Sequence, residues 1–339
     1  MSNTTNEVKR KFQNPFIVER ADPYIIKAKD GYYYFTASYP MKREDDPEGY
    51  DRIILRRSSD LEGLADAEEI TIWKSEPDSL SHRFIWAPEI HYIGGKWYVL
   101  YAGSEKADDR WGINCHVLQC QSQDPYTGEW KEMGKFQGTP GDDFSFREFS
   151  LDMTYFECKG RSFVIWAQHN DQRISCLYMG EVNPQEPWKL ITKPMLLTEP
   201  EYDWEKIRFS VNEGASVLKH DGKVFICFSA SGTGPEYCVG LMEASQDADL
   251  LDIHSWKKYD KPVLTSEDLP GEYGPGHNSF TVDDEGNDIF VYHARSEECF
   301  QGKCGYSGGD PLYDPCRHAR LHTVNWSKSG TPILNGTQE

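Results

Sequence analysis

Short aromatic-rich apolar runs alternate with glycine turns along the whole chain, and this pattern predicts β-strands joined by tight turns. A shorter strand-like run precedes each turn, as in Tyr24–Lys27 before Gly31. Helical periodicity is confined to one short segment, residues 61–69. Glycine suits these turns because it adopts positive φ at little cost. The five copies read Gly31-YYYFTAS, Gly95-KWYVLYAGS, Gly160-RSFVIWAQ, Gly222-KVFICFSAS and Gly286-NDIFVYHAR.

The spacing of the copies predicts a repeat architecture. The intervals between the five glycines are 64, 65, 62 and 64 residues, and a tryptophan closes each copy, at Trp73, Trp130, Trp188, Trp256 and Trp326. Such a period favours an all-β fold of four-stranded antiparallel blades around a central channel, a five-bladed β-propeller. A β-sandwich is the alternative, but it gives no reason for near-constant spacing.

The chain contains no linker rich in proline, glycine or serine, so we expect one domain. We assign residues 1–14 to a flexible N-terminal segment, residues 15–330 to the propeller and residues 331–339 to a C-terminal tail. The longest irregular stretch, residues 297–316, is expected to be a surface loop.

The composition of the chain limits the classes of molecule that it is expected to bind. The net charge of −19 argues against nucleic acid or an anionic membrane, while 13% aromatic residues suit a neutral ring-shaped ligand. The polar N-terminus and the absence of any long apolar run predict a cytoplasmic protein.

Cysteine spacing gives little support for a metal site. The nine cysteines include no Cys-x-x-Cys pair, which argues against zinc. Cys299 and Cys304 flank a short loop within residues 297–316 and would form a disulfide only under oxidising conditions, so reduced thiols are expected.

Polar residues recur where each innermost strand begins. Nine residues before the repeat glycines stand Asp22, Trp86, Leu151, Glu213 and His277, with Asp152 one step after Leu151. Taken singly, each acid also suits a turn or a strand cap. Ring closure would place all three acids in one axial pocket.

Converging carboxylates suit glycoside hydrolysis with inversion. One ionised carboxylate deprotonates a water, a second protonated one gives its proton to the leaving oxygen, and a third raises the pKa of that acid and orients it. The residues alone do not say which acid takes which part.

The motifs around these residues resemble glycoside hydrolase family 43, whose members are five-bladed propellers acting on arabinose- and xylose-containing polysaccharides. The resemblance extends from about residue 15 to about residue 326. It implies that Asp22 is the general base, Asp152 the pKa modulator and Glu213 the general acid. The motifs are Arg20-Ala-Asp22-Pro-Tyr, Trp86-Ala-Pro-Glu-Ile90, Ser150-Leu-Asp152, Asn212-Glu213-Gly and Gly276-His277-Asn-Ser-Phe.

The same resemblance implies further site residues. Trp86 would stack on a sugar, although packing of the channel wall explains it equally well. Arg320 or Arg295 would contact the sugar, and Asn212 is a weaker candidate. His277 would hold a structural calcium on the channel axis, mostly through water, although a hydrogen-bonded core histidine is the alternative. The chemistry itself requires no cofactor.

The context Glu213-Gly-Ala-Ser resembles arabinan-directed α-L-arabinofuranosidases, so we expect removal of terminal arabinofuranose from arabinan or α-1,5-arabino-oligosaccharides. A β-xylosidase, an endo-1,5-α-L-arabinanase and a non-catalytic carbohydrate-binding propeller are the alternatives. The sequence leaves the oligomeric state open.

Overall fold

The computed structural model describes residues 11–41, 49–305 and 310–338. Its antiparallel sheets form a ring, because the innermost strands contact one another in the order β1, β5, β9, β14 and β18, and β18 returns to β1. The prediction of an all-β, five-bladed propeller is thereby confirmed.

The blades follow one another along the chain, each running from the axis outward. Blade 1 contains β1 (Ala21–Lys27), β2 (Tyr33–Ser38), β3 (Arg52–Ser58) and β4 (Glu69–Lys74). Blade 2 contains β5 (Arg83–Ile93), β6 (Lys96–Ser104), β7 (Ile113–Cys120) and β8 (Trp130–Lys135). Blade 3 contains β9 (Ser150–Cys158), β10 (Arg161–His169), β11 (Ser175–Asn183), β12 (Glu186–Leu190) and β13 (Met195–Thr198).

The last two blades are less regular. Blade 4 contains β14 (Asn212–His220), β15 (Lys223–Ala230), β16 (Cys238–Ser245) and the two-residue β17 (Lys257–Lys258). Blade 5 contains β18 (Glu272–Val282), β19 (Asp288–Ser296) and β20 (His318–Thr323). A separate pair, β21 (Asn325–Trp326) and β22 (Pro332–Ile333), follows blade 5.

Two of the five blades depart from the four-stranded arrangement. Blade 3 has five strands, since β12 and β13 both pair with β11. Blade 5 has three among the described residues, and the N-terminal chain takes its outer position through an antiparallel bridge between Ile17 and Ala319. This bridge ties the first part of the propeller to the last.

Helices are short and lie between strands. The 297–316 segment begins with the α-helix Glu297–Phe300 and contains the 3-10 helix Pro311–Tyr313, whereas residues 306–309 lie outside the described residues. In the predicted helical segment, only Glu62–Ala65 is helical. The other 3-10 helices are Arg110–Gly112, Asp203–Glu205, Ile253–Ser255 and Ser266–Asp268.

The hydrophobic core lies between the sheets. The middle strands of the blades are deeply buried, because neighbouring blades cover both of their faces. Every residue of β2 and β7 is buried, and so are most residues of β10 and β15. Burial on two faces explains why their sequences are continuous apolar runs rather than alternating ones.

Candidate active site

Every innermost strand carries a residue with positive φ near its start, where the pairing with the second strand shifts register. A β-bulge of this kind re-aims the neighbouring side chains. The five residues are Asp22 (55°), Ala87 (45°), Asp152 (55°), Gly214 (54°) and His277 (38°).

The bulges correct the repeat alignment. In blades 2, 3 and 4 the residues equivalent to Asp22 are Ala87, Asp152 and Gly214, one position after those chosen by counting back nine residues from the glycine. Asp22, Asp152 and His277 therefore occupy the bulge itself. Glu213 reaches the pocket from the position before the bulge.

A cavity of about 680 Å³ opens at the end of the ring where the innermost strands begin. Asp22, Asp152 and Glu213 all line it, so the structure brings the three predicted carboxylates together. Trp86 and His277 line the same cavity.

Asp22 is surrounded by cations and hydrogen-bond donors. Ser38 Oγ donates to Asp22 Oδ2 at 2.5 Å, and Asp22 Oδ1 lies 3.5 Å from both His277 Nδ1 and Arg317 Nη1. Burial by itself raises the pKa of a carboxyl group, but His277 and Arg317 outweigh it and hold the pKa of Asp22 well below its ordinary value. Asp22 is therefore ionised.

His293 lies behind Asp22 as a buried, neutral group. Its Nδ1 accepts a hydrogen bond from the backbone N–H of Asp22 at 3.1 Å. Burial lowers the pKa of His293 to about 3, so its ring carries no charge at neutral pH.

Glu213 and Asp152 have the opposite electrostatics. Burial raises the pKa of Glu213, although Tyr237 OH donates to its Oε1 at 2.7 Å and His277 also opposes the rise. Burial raises the pKa of Asp152 well above its ordinary value, and the charges of Glu213 and Asp22 add to this effect. Two of the three acids thus favour the protonated state.

His277 lies between the acids. Its Nδ1 is 3.5 Å from Asp22 Oδ1 and 3.6 Å from Asp152 Oδ2, and its backbone N–H donates to Ser229 Oγ at 2.7 Å. Burial lowers the pKa of an imidazole, but Asp152, Asp22 and Glu213 overcome this and raise the pKa of His277.

These contacts suit a protonated imidazole better than a calcium ligand. Calcium prefers six to eight oxygen ligands, whereas the ring Nδ1 of His277 faces two carboxylates. Calcium at His277 stays a prediction. The imidazole is the charge partner of Asp22 and Asp152.

Asn212, Arg295 and Arg320 do not line the cavity, which corrects their assignment to substrate binding. Asn212 is fully buried and donates to Glu205 Oε1 at 3.0 Å. Arg295 Nε lies 2.7 Å from Asp314 Oδ2, and Arg320 Nη1 lies 3.3 Å from Glu272 Oε1. Their polar groups bind other side chains of the protein and do not face the cavity.

Three cavity-lining residues that were not predicted from the sequence lie just before the third strand of a blade. Trp111, Tyr237 and Arg317 line the cavity one or two residues before β7, β16 and β20. The signal available in the sequence was the junction between the second and third strand of each blade. The repeat comparison had used the innermost strands alone.

Glycoside hydrolysis requires two carboxyl groups in opposite protonation states at one pocket, and this cavity provides them. The chain belongs to the glycosyl hydrolases family 43, whose family model matches residues 12–332. The predicted resemblance is thereby confirmed.

Several relatives in this family are highly similar. An extracellular exo-alpha-(1->5)-L-arabinofuranosidase of Streptomyces avermitilis is 43% identical over 322 residues, which cover 95% of this chain and 62% of that protein. A protein of the same name from Streptomyces chartreusis is 42% identical over 84% of this chain and 82% of its own length. The crystal structure of an alpha-L-arabinofuranosidase from Lactobacillus brevis superposes with a TM-score of 0.84 at 41% identity, covering 97% of both chains.

The prediction of a cytoplasmic location is contradicted by these comparisons, because both Streptomyces relatives are named extracellular. A polar N-terminal sequence is a poor guide to where an enzyme acts. Among the described residues, no helix has the length and apolarity needed to cross a membrane.

Proposed function

We propose that this protein is an inverting, exo-acting α-L-arabinofuranosidase that releases terminal arabinofuranose from arabinan or α-1,5-arabino-oligosaccharides. The 42–43% identical relatives that are named exo-alpha-(1->5)-L-arabinofuranosidases support the substrate class. The relatives named as β-xylosidases are only 21–25% identical, which makes xylose the weaker candidate.

The observation that carries the proposal is the contrast between Asp22 and Glu213. Both line one cavity, yet cationic neighbours lower the pKa of Asp22 while burial raises that of Glu213. An inverting glycosidase needs this contrast, because its base must be ionised when its acid still carries a proton.

The reaction then assigns one step to each carboxyl group. Asp22 removes a proton from a water that attacks the anomeric carbon. Glu213 gives its proton to the oxygen of the departing sugar as the glycosidic bond breaks. Asp152 acts as the pKa modulator, because it and Glu213 repel each other when both are ionised, which favours keeping a proton on the pair.

Aromatic side chains supply the sugar contacts. Trp86 is 8% exposed, packs edge-on against Tyr50 and lines the cavity, so one sugar ring can stack on it at the bottom. Trp111 and Phe209 are 63% and 57% exposed and lie on the cavity wall. These two rings would contact the sugars beyond the cleaved bond.

Substitution of the two acids tests the proposal. We expect Asp22→Asn and Glu213→Gln each to lower kcat on α-1,5-arabino-oligosaccharides by about 100- to 10,000-fold, the usual value of general acid–base catalysis. Glu157→Gln is the matched control, because Glu157 lies exposed on the same kind of strand, in β9. Near-normal turnover by either folded acid variant would refute the assignment.

The products separate the remaining alternatives. Arabinose as the sole early product, first seen by NMR as the β-anomer, would support exo action with inversion. A ladder of oligosaccharides would indicate an endo-arabinanase, and preference for nitrophenyl β-xyloside a β-xylosidase. Binding of arabinan without any sugar release would indicate a non-catalytic propeller.

A further inference from the structure

Three cysteines from the segment between β19 and β20 meet beside the active site. The Sγ atoms of Cys299, Cys304 and Cys316 all lie within 4.8 Å of one another, and those of Cys304 and Cys316 are 3.2 Å apart. Cys299 and Cys316 are buried, whereas Cys304 is partly exposed. The fold thus gathers thiols that stand 5 and 12 residues apart and form no Cys-x-x-Cys motif.

We propose that Cys299, Cys304 and Cys316 bind one zinc ion through three thiolates. Zinc takes thiolate sulfur at about 2.3 Å in a tetrahedral arrangement, which places neighbouring sulfurs about 3.8 Å apart. The Sγ atoms of Cys304 and Cys316 are 3.2 Å apart and no Sγ pair of the three is more than 4.8 Å apart, so small side-chain rotations suffice to close the site. The partly exposed side at Cys304 leaves the fourth position to water.

His318 supports the cluster as a donor to sulfur. Its Nδ1 accepts the backbone N–H of Glu19 at 2.9 Å, which leaves the ring proton on Nε2. That Nε2 lies 3.9 Å from Cys299 Sγ, a distance suited to a hydrogen bond with a thiolate. Coordinating residues with such supporting contacts hold their metal more tightly.

One cation lies close to the cluster. Three thiolates and one Zn²⁺ carry a net charge of −1, and the buried guanidinium of Arg295 interacts electrostatically with Cys316. Arg295 therefore places a positive charge near one of the proposed ligands.

The position of the site indicates a structural role. Cys316 directly precedes Arg317, whose Nη1 lies 3.5 Å from Asp22 Oδ1 and whose Nη2 donates to Leu312 O at 2.8 Å. The backbone N–H of Cys316 donates to Asp314 Oδ1 at 2.8 Å. A bound ion would therefore fix both ends of this segment and hold Arg317 against Asp22.

Metal content of the full chain tests the proposal without any activity assay, so its outcome is independent of the proposed function. The protein is produced in zinc-supplemented medium, purified without chelator and analysed for zinc by mass spectrometry. We expect one zinc per chain, and at least a tenfold loss of zinc affinity in Cys304→Ser. Cys120→Ser, a buried cysteine in blade 2, is the control that should retain the ion.

Cobalt substitution reports the ligands directly. Co²⁺ bound to the wild-type protein should give thiolate-to-metal charge-transfer absorption, which Cys304→Ser should weaken and Cys316→Ser abolish. A Cys316→Ser variant that fails to fold leaves the test to Cys304→Ser, whose altered side chain is partly exposed.

Two results would overturn the proposal. One is a wild-type protein that binds neither zinc nor cobalt while all three thiols react with a thiol reagent. The other is a Cys304–Cys316 disulfide found by peptide mapping of protein alkylated at the moment of lysis or harvest.

Discussion

At the scale of single residues, the neighbours of a carboxyl group decide its part in the reaction. Asp22 contacts His277 and Arg317, and the pKa of its side chain falls. Glu213 has a tyrosine hydroxyl as its hydrogen-bond partner, and burial dominates, so its pKa rises. Nothing in the local sequence of either residue distinguishes a base from an acid.

The general acid, Glu213, should matter least for a substrate whose leaving group departs without protonation. We expect Glu213→Ala to lose far less activity on 4-nitrophenyl arabinofuranoside than on arabino-oligosaccharides, because nitrophenolate departs without protonation. Steady-state kinetics of both substrates measure this difference. Equal losses on the two substrates would contradict the assignment of Glu213 as the acid.

Asp22→Ala supplies the matched contrast, since a missing base impairs both substrates alike. Added azide should restore part of its activity on the nitrophenyl substrate, because this anion attacks without losing a proton. The β-arabinosyl azide expected from that reaction is identified by NMR.

At the scale of elements, the bulge in each innermost strand sets the direction of the site residues. The glycine spacing predicted these strands and their carboxylates. It could not locate the bulges, because an extra residue in a strand depends on pairing with the second strand. Tyr237 and Arg317 were not predicted because they lie where third strands begin, and the repeat comparison had used the innermost strands alone.

Gly214 tests the bulge of blade 4. It has φ of +54°, and a Cβ added there would lie 3.2 Å from His277 Nδ1. We expect Gly214→Ala to lower the free energy of unfolding by about 1–2 kcal/mol, the cost of left-handed backbone for an L-residue, and to lower kcat by displacing His277.

Gly222→Ala separates the two effects, because Gly222 has φ of +76° with nothing within 4 Å of an added Cβ. Its stability should fall similarly while kcat stays unchanged. Urea unfolding and kinetics of both variants provide the measurement, and an unchanged kcat in Gly214→Ala would argue against the role of this contact.

At the scale of the whole molecule, the N-terminal chain closes the ring against blade 5. Asn14 Nδ2 donates to Leu321 O at 2.9 Å, and Leu321 N–H donates to Asn14 Oδ1 at 3.0 Å. Phe12 is buried beside the same blade. Residues 11–14, assigned from sequence to the N-terminal segment, thus contact the propeller, whereas residues 1–10 lie outside the described residues.

Removing the Asn14 amide should therefore weaken the closure. We expect Asn14→Ala to lower the free energy of unfolding by about 1–3 kcal/mol, because the backbone groups of Leu321 lose their partners. Asn183→Ala is the control, since Asn183 is exposed and accepts a local hydrogen bond from Gln185 N–H. Equal stability of the two variants in urea would contradict a closing role for Asn14.

Buried neutral histidines should make the propeller sensitive to acid. Burial lowers the pKa of His116 to about 4, so its ring is neutral at pH 7. The unfolded chain takes up this proton near pH 6.5, so the stability contributed by neutral His116 is present above that pH and is lost as pH falls toward 4.

Thermal unfolding between pH 7.5 and 5 tests this effect. His116→Gln should flatten the fall of Tm with acidification, whereas the exposed control His254→Gln should leave it unchanged. A His116→Gln profile parallel to that of the wild type would show that His116 does not contribute.

The repeat pattern was enough to predict the five-bladed ring and the innermost strands that carry Asp22, Asp152 and Glu213. Turns, apolar runs and their period are local features, and a repeat copies them along the chain. Long-range contacts in the folded chain establish which acid is ionised, that Arg317 rather than Arg320 reaches the pocket, and that three cysteines meet. Each of these depends on distances between groups far apart in sequence, because those distances set the burial and the charges that surround each group.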